Sequence, residues 1–278
     1  MIKKTIMPIL FCIMILICSS CGEKSKVVSD SKKEYAPGDV IYENDDVKVT
    51  VVEKNPGKMD AYYDWLLVTD EFVYDETTLI MSGKISNVRE AIAEFTNEEY
   101  PSNNITLYEI TVSDVLYSAE GISLSKGDIV TAGLSFNSYN LGYEFPIIEN
   151  GKEFIMFCRV SANEYPRYRI EYSDYWMSAP HVMMIEKVDN AYLAHEYFKG
   201  ASESSITLGD AYKIMSDNDA LFKTNTVLRA ANILKERTPG TINAHEYANN
   251  TMFQSYYLIE EEALKNAIIN AANEYHKE

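Results

Sequence analysis

Phe154-Ile155-Met156-Phe157-Cys158-Arg159-Val160 decides the fold. Apart from Arg159 every side chain in it is apolar, at both parities, and a strand with two apolar faces belongs at the centre of a sheet. Strand signals surround it. Upstream, Val47, Val49 and Val51 recur at period two, Thr78 to Val88 sets Leu79, Met81 and Ile85 on one face, and Ile105 to Leu116 sets Tyr108, Ile110 and Val112 on one face. Gly83 falls inside the second of these, and glycine within a strand marks a bulge or a tight bend. The turn Ser125-Lys126-Gly127-Asp128 leads into Ile129-Val130-Thr131. Downstream, Arg167 to Trp176 alternates Tyr168, Ile170 and Tyr172 against Arg167, Arg169 and Glu171. Val182 to Val188 and Ala191 to Phe198 flank Asp189-Asn190, two residues that tolerate positive φ and close a tight hairpin. Residues 39–200 are therefore expected to be mostly antiparallel β. One helical stretch, in one or two pieces, is expected between Met59 and Tyr74, after the turn Asn55-Pro56-Gly57.

After Gly200 the period lengthens to 3.6. Thr207-Leu208-Gly209-Asp210 has the form of a capping box with Asp in place of Glu, and it opens a short helix carrying Leu208, Ala211, Tyr212 and Met215. A second helix is expected from about Asp219 to Arg237, closed by Pro239-Gly240. A third is expected along the stripe Phe253, Tyr257, Leu264, Ile268, Ala271 and Tyr275. Such a short helical region with modest apolar content is only marginally stable alone, so packing against the β part is expected.

The chain opens with Lys3 and Lys4, an uncharged and mostly apolar run from Ile6 to Cys18, and then Ser19-Ser20-Cys21. That is the layout of a secretory signal, and the run is too short for the roughly 20 apolar residues of a membrane span. Small residues at the two positions before a cysteine resemble the lipobox of bacterial lipoproteins, with Cys18 where that family usually has Leu. The resemblance implies that Cys21 is diacylated on sulfur and becomes the new N-terminus, tethering the protein to the extracytoplasmic face of the cell membrane. Two acyl chains are what stable anchoring requires, since one holds only marginally. Residues 1–20 are then a signal peptide and residues 21–38, polar and ending at Pro37-Gly38, a lipidated flexible tether.

A second resemblance rests on Thr78-Leu79-Ile80-Met81-Ser82-Gly83-Lys84-Ile85, Tyr108-Glu109-Ile110-Thr111-Val112, Lys126-Gly127-Asp128-Ile129-Val130 and Glu149-Asn150-Gly151-Lys152-Glu153-Phe154-Ile155-Met156-Phe157. In that order they are similar to a group of uncharacterised bacterial lipoproteins and surface proteins. The group implies a small OB-like β-barrel and no particular reaction. Tyr139 and Tyr143 stand where the group tends to be Gly-rich.

Composition narrows the chemistry. The formal charge of −17 becomes −19 once Lys3 and Lys4 leave, and an acidic body of this kind repels phosphate backbones, so no nucleic-acid partner is expected. Cys12 and Cys18 leave with the signal and Cys21 carries lipid. Cys158 is then alone in an apolar strand, a buried small hydrophobe rather than a disulfide partner.

Ala194-His195-Glu196-Tyr197 and Ala244-His245-Glu246-Tyr247 begin like His-Glu-x-x-His, but the second histidine's place is held by Lys199 and Asn249. No metal or cofactor is expected. Ser123-Leu124-Ser125-Lys126 and Ser216-Asp217-Asn218 echo two of the three β-lactamase signatures, but the Lys-Thr-Gly strand is absent and no catalytic residue is assigned.

The acids, among them Asp70, Glu71, Asp75 and Glu76, read as a solvated face. The feature that points to binding is the crowding of Tyr165, Tyr168, Tyr172, Tyr175 and Trp176 within 12 positions of a chain with 21 tyrosines. Exposed, such rings form a stacking platform for sugars or peptides; Tyr168, Tyr172 and Trp176 share one parity, which is what the core face of a strand shows, and that parity favours the core reading.

The expected protein is α+β, a small antiparallel β-barrel at 39–200 followed by a C-terminal helical region at 201–278. It is lipid-anchored through Cys21 and acts as a binding module for an envelope glycan or protein, with Tyr168, Tyr172, Tyr175 and Trp176 as candidate ligand contacts. The competing expectation is a cell-envelope hydrolase whose site is assembled from scattered residues.

Overall fold

The computed structural model describes residues 34–53, 68–96, 102–134, 148–160, 173–177, 184–215, 220–237 and 244–277. The chain forms two units, Met1–Lys33 and Glu34–Glu278, and the described residues all belong to the second. The segment expected to be the signal peptide and the expected tether up to Lys33 lie outside them.

The elements in chain order are β1 (Val40–Glu43), β2 (Val47–Val51), α1 (Asp70–Tyr74), β3 (Leu79–Phe95), β4 (Asn103–Ser118), β5 (Ile129–Leu134), β6 (Glu153–Arg159), β7 (Tyr175–Met177), β8 (Met184–Val188) and β9 (Ala191–His195). A 3-10 turn (Glu196–Ala201), β10 (Ile206–Thr207), α2 (Leu208–Ile214), α3 (Thr224–Arg237), a second 3-10 turn (Ala244–Asn249), α4 (Thr251–Ser255), β11 (Tyr256–Glu260) and α5 (Glu261–Tyr275) follow.

The eleven strands among the described residues join one sheet, in the order β1-β2-β3-β4-β5-β7-β6-β8-β9-β11-β10. A second pairing, β6 against β3, bends part of it into a ring of five strands, β3-β4-β5-β7-β6. The ring is completed by short contacts: Ala132 and Gly133 of β5 run parallel to Tyr175 and Trp176 of β7, and Cys158 and Arg159 of β6 face Met177 and Trp176. The remaining ladders among the described residues are antiparallel.

The two apolar faces of β6 have separate uses. Phe154, Met156 and Cys158 enter the ring's interior with Leu79, Met81, Tyr108, Ile110 and Val130. Ile155 and Phe157 point the other way, into a core shared with Tyr74, Tyr192, Ile259 and the α5 residues Leu264, Ile268 and Ala272. Each such aliphatic or aromatic side chain contributes about 1.5–3 kcal/mol on burial. Cys158 is buried, and desolvation pushes its thiol up to about 12. Gly83 sits at a register shift in the β3–β4 ladder, where a Cβ would lie 2.4 Å from Cγ2 of Ile110. Asp189 has φ +57 in the hairpin between β8 and β9.

Beyond the ring the sheet opens. One face of its β8-β9-β11 part carries α5, and the other carries α2, α3 and α4 over Val188, Leu193, Tyr256 and Leu258. Glu186 and Arg237 form a buried ion pair between β8 and the end of α3. Lys152, at the start of β6, adds a second cation 3.3 Å from Glu186 Oε1. On the α5 side Lys187 reaches Glu261 at 3.0 Å and Glu153 at 3.4 Å, and Lys265 reaches Glu261 at 2.9 Å. Burial opposes ionisation of Glu261, but the hydrogen bonds from Lys265 and Lys187 outweigh it and hold the carboxyl below its usual range. These pairs fix the helical layers to the sheet.

The expected third helix is corrected. Tyr256–Glu260 interrupts it as β11, pairing with β9 from Tyr256↔His195 to Glu260↔Ala191. Tyr-Tyr-Leu-Ile favours a pleated surface covered on both sides. Leu258 accordingly enters the core under α2–α4 and Ile259 the core under α5. β3 also runs past Val88 to Phe95, where it pairs with β2. Of the strand expected from Arg167 to Trp176, residues 167–172 lie outside the described residues, as do 59–67 of the helix expected at Met59 to Tyr74; α1 is its described end. The α2 cap is as read: Thr207 Oγ1 accepts from Asp210 N at 3.0 Å.

Candidate functional site

Where α1, the end of β4, the 3-10 turn after β9 and the end of α5 meet, aromatic rings and carboxylates from four distant stretches converge. α1 begins at Thr69, whose Oγ1 accepts from Phe72 N, and its first turn carries Asp70 and Glu71, the sign that a helix N-terminus favours. Its other side buries Val73 and Tyr74. The Tyr74 ring lies 6.0 Å from Phe157 and 5.8 Å from Tyr275.

β9 ends at His195, whose Nδ1 accepts from Tyr197 N at 3.2 Å and starts the 3-10 turn. That turn sends Phe198 inward and leaves Tyr197 half-buried at the surface, where its hydroxyl donates to Asp70 Oδ1 at 2.5 Å. Tyr74 is hydrogen-bonded to Tyr197 in turn. α5, seated by Leu264, Ile268 and Ala272, delivers Tyr275 and His276. His276 stacks on Tyr117 of β4, centroids 4.7 Å apart and planes at 11°. Tyr275 meets His276 edge-on at 5.3 Å, with the carboxylates of Asp75, Glu71 and Asp70 nearby. The result is a continuous row, Tyr117, His276, Tyr275, Tyr74 and Tyr197, bordered by Asp70, Glu71 and Asp75.

The hydroxyls of the row are held above the ordinary tyrosine range. Burial pushes the Tyr74 hydroxyl up to about 12, with Tyr197 opposing and Asp70 adding to the rise. Burial and the hydrogen bond to Asp70 raise Tyr197 further. Partial desolvation and then the carboxylates of Asp75, Glu71 and Asp70 raise Tyr275. All three stay protonated donors through the neutral range, whereas a general base works best with a pKa near the operating pH. Burial lowers His195, with Glu196 opposing, which keeps its Nδ1 free to accept the bond from Tyr197.

The residues singled out in the sequence fall elsewhere. Tyr168 and Tyr172 lie outside the described residues. Trp176 is 1 % exposed, its ring against Gly133 of β5, and it packs with Val47, Val49, Ala91 and Leu107. Tyr175 is half-buried beside the ring interior. Asp174 next to it accepts from Thr131 N at 2.7 Å, and burial raises its carboxyl while that bond lowers it. His195 ends β9 and is engaged as the cap of the first 3-10 turn, whereas His245 lies in the second. Among the described residues no three His, Cys, Asp or Glu side chains are grouped to hold a metal ion. Ser123 lies on the connection between β4 and β5, and Ser216 to Asn218 lie outside the described residues. Sequence reasoning missed the row because its members are far apart in the chain: 127 positions separate Asp70 from Tyr197. A weak signal was available in Tyr275, which ends an apolar stripe with a polar tip.

Neither a protein-family model nor a curated protein matches this sequence.

Proposed function

We propose that the protein is a lipid-anchored, extracytoplasmic binding module that offers the row from Tyr117 to Tyr197 to a glycan or protein of the cell envelope. The observation that carries this reading is the row itself. Tyr117, Tyr275 and Tyr197 are half-buried and held by their neighbours around the buried Tyr74, and such rings give large contact area at low entropic cost. Their hydroxyls are held far from neutral pKa values, which suits recognition rather than acid–base chemistry. Anchoring through Cys21 is supported by the lipobox-like Ser19-Ser20-Cys21. Among the described residues no helix is long and apolar enough to cross a membrane.

The ring is read as an OB-like barrel. In ring order its strands run first, second, third, fifth, fourth and back to first, with third and fifth parallel, and this supports a five-stranded, partly open Greek-key barrel, a scaffold used for binding. The acidic charge argues against nucleic acid as its ligand.

Two experiments test the reading. Full-length protein in detergent is mixed with isolated envelope glycan and, separately, with envelope protein fractions. Saturable binding to one of them, weakened at least about fivefold in Tyr117→Ala/Tyr275→Ala, is expected from the loss of two aromatic contacts. Equal binding by the double variant, or turnover of the glycan, contradicts it. For the anchor, Cys21→Ser is expected to shift the protein out of the membrane fraction or leave its precursor uncleaved; unchanged fractionation and processing would refute anchoring there.

A further inference from the structure

One side of the ring's interior is filled with sulfur, where leucine or valine would pack in better-defined rotamers. Met81, Met156, Cys158 and Met177 come from three strands, β3, β6 and β7, and all four belong to the same buried cluster. Register brings them together. Met156 lies directly across from Met81 in the β3–β6 ladder, and Cys158 directly across from Met177 in the β6–β7 ladder. Side chains paired in this way start about 4.5–5.5 Å apart at Cβ, and Met156 and Cys158, two positions apart on one strand, about 6.5–7 Å apart. A methionine thioether, carried on three rotatable bonds, reaches across such gaps.

We propose that these four residues form a binding site for a soft monovalent metal ion, copper(I), held by the Cys158 sulfur and the thioethers of Met81, Met156 and Met177. Thiolate and thioether donors suit copper(I) and zinc better than hard cations, and charge then decides between the two. One thiolate and one monovalent ion are together neutral, which an interior lined by Leu79, Ile110 and Phe154 accepts. Zinc with the same donors would leave a net positive charge, and burying an uncompensated charge is costly. Three of the donors are thioethers, so the set is distinct from any grouping of His, Cys, Asp and Glu.

Binding is an exchange of a proton for a metal ion. The S–H bond of Cys158 breaks, a sulfur–copper bond forms, the proton leaves to solvent and copper stays at +1, with nothing oxidised or reduced. Burial alone keeps the thiol protonated, pushed up to about 12; a coordinating thiol gives up its proton to the metal. The way in is the β7 seam. Met177 is 7 % exposed while the other three are fully buried, and β7 is three residues long with a two-residue pairing on each side. Local opening is easiest where pairing is shortest.

The site is separate from the aromatic row, and its test uses no envelope ligand. The mature, full-length protein, purified from membranes in detergent and kept free of oxygen, is titrated with copper(I) against the chromophoric chelator bicinchoninate. About one equivalent is expected to be retained, with a thiolate-to-copper charge-transfer band in the near ultraviolet and about one proton released per ion. Met156→Leu, which keeps the volume and removes one donor, is expected to weaken retention at least about tenfold, and Cys158→Ser to abolish the band. Met252→Leu, at a methionine packed against the core under α2–α4, is expected to change retention less than about twofold.

Thermal melting accompanies each titration. Copper(I) is expected to raise the wild-type melting temperature and to leave that of Met156→Leu nearly unchanged, which separates a lost donor from a lost fold. No copper(I) held by the wild type against the chelator overturns the proposal. So does equal retention in Met156→Leu and Cys158→Ser, which would put the ion elsewhere on the chain, and displacement of copper(I) by equimolar zinc would overturn the monovalent assignment.

Discussion

Two aromatic clusters in this protein teach opposite lessons. One is dense in sequence, Tyr165 to Trp176, and where it is described its largest ring is in the core: Trp176 lies over Gly133 with almost no exposure. The other is invisible in sequence. Tyr117, His276, Tyr275, Tyr74 and Tyr197 come from four segments, and only the folded chain makes them neighbours. Where it is described, the dense stretch fills a core; the other cluster, with its exposed carboxylates, arose where helices and a turn closed over the sheet.

The difference can be broken at either cluster. The largest effect is expected from Trp176→Ala, which should destabilise the fold by about 3–5 kcal/mol because a large buried ring leaves a cavity, with envelope binding unchanged once the variant is measured below its melting temperature. Denaturant unfolding checks it, and a loss under about 1 kcal/mol would mean that Trp176 is not the packing residue described. Next comes Gly133→Ala. A Cβ there would lie 2.9 Å from Trp176 Cε3, so the ring must shift, at a cost of about 1–3 kcal/mol. Combined with Trp176→Ala the penalty should largely vanish, and additive losses would rule out that contact as its source.

The smallest effect concerns the turn that presents Tyr197. Burial lowers the His195 pKa, so the folded state favours neutral imidazole. As pH drops below the ordinary value of about 6.5, the unfolded chain takes up the proton first, and this share of stability is lost as pH falls through the lowered folded value. His195→Asn keeps a capping acceptor and removes the titration. The melting temperature should therefore fall less between pH 7 and pH 5 in the variant than in the wild type. An identical pH dependence in both would show that the cap does not titrate in this way.

Much of the sheet was legible because its residues announce their own state. Phe154 to Val160 is apolar at both parities since each face meets a different core, and Asp189-Asn190 states its turn directly. The helix predicted through Tyr256–Glu260 failed because Phe253 and Tyr257 sit four apart by accident, and pairing with β9 outweighs that spacing. The closing of five strands into a ring depends on β6 pairing with β3 and on two short contacts at β7, all long-range choices that no local pattern encodes. The row was illegible for the same reason. Asp70 reads as one acid among many until Tyr197 is laid against it.

The most direct measurement is the binding isotherm of full-length protein on isolated envelope material, compared between Tyr275→Ala and Tyr175→Ala. Each removes one half-buried tyrosine, the first from the assembled row and the second from the cluster that is dense in sequence. Tyr275→Ala is predicted to weaken binding by about threefold or more, with Tyr175→Ala close to wild type. Loss of binding in Tyr175→Ala with Tyr275→Ala unaffected would contradict the account and move the ligand to the other cluster.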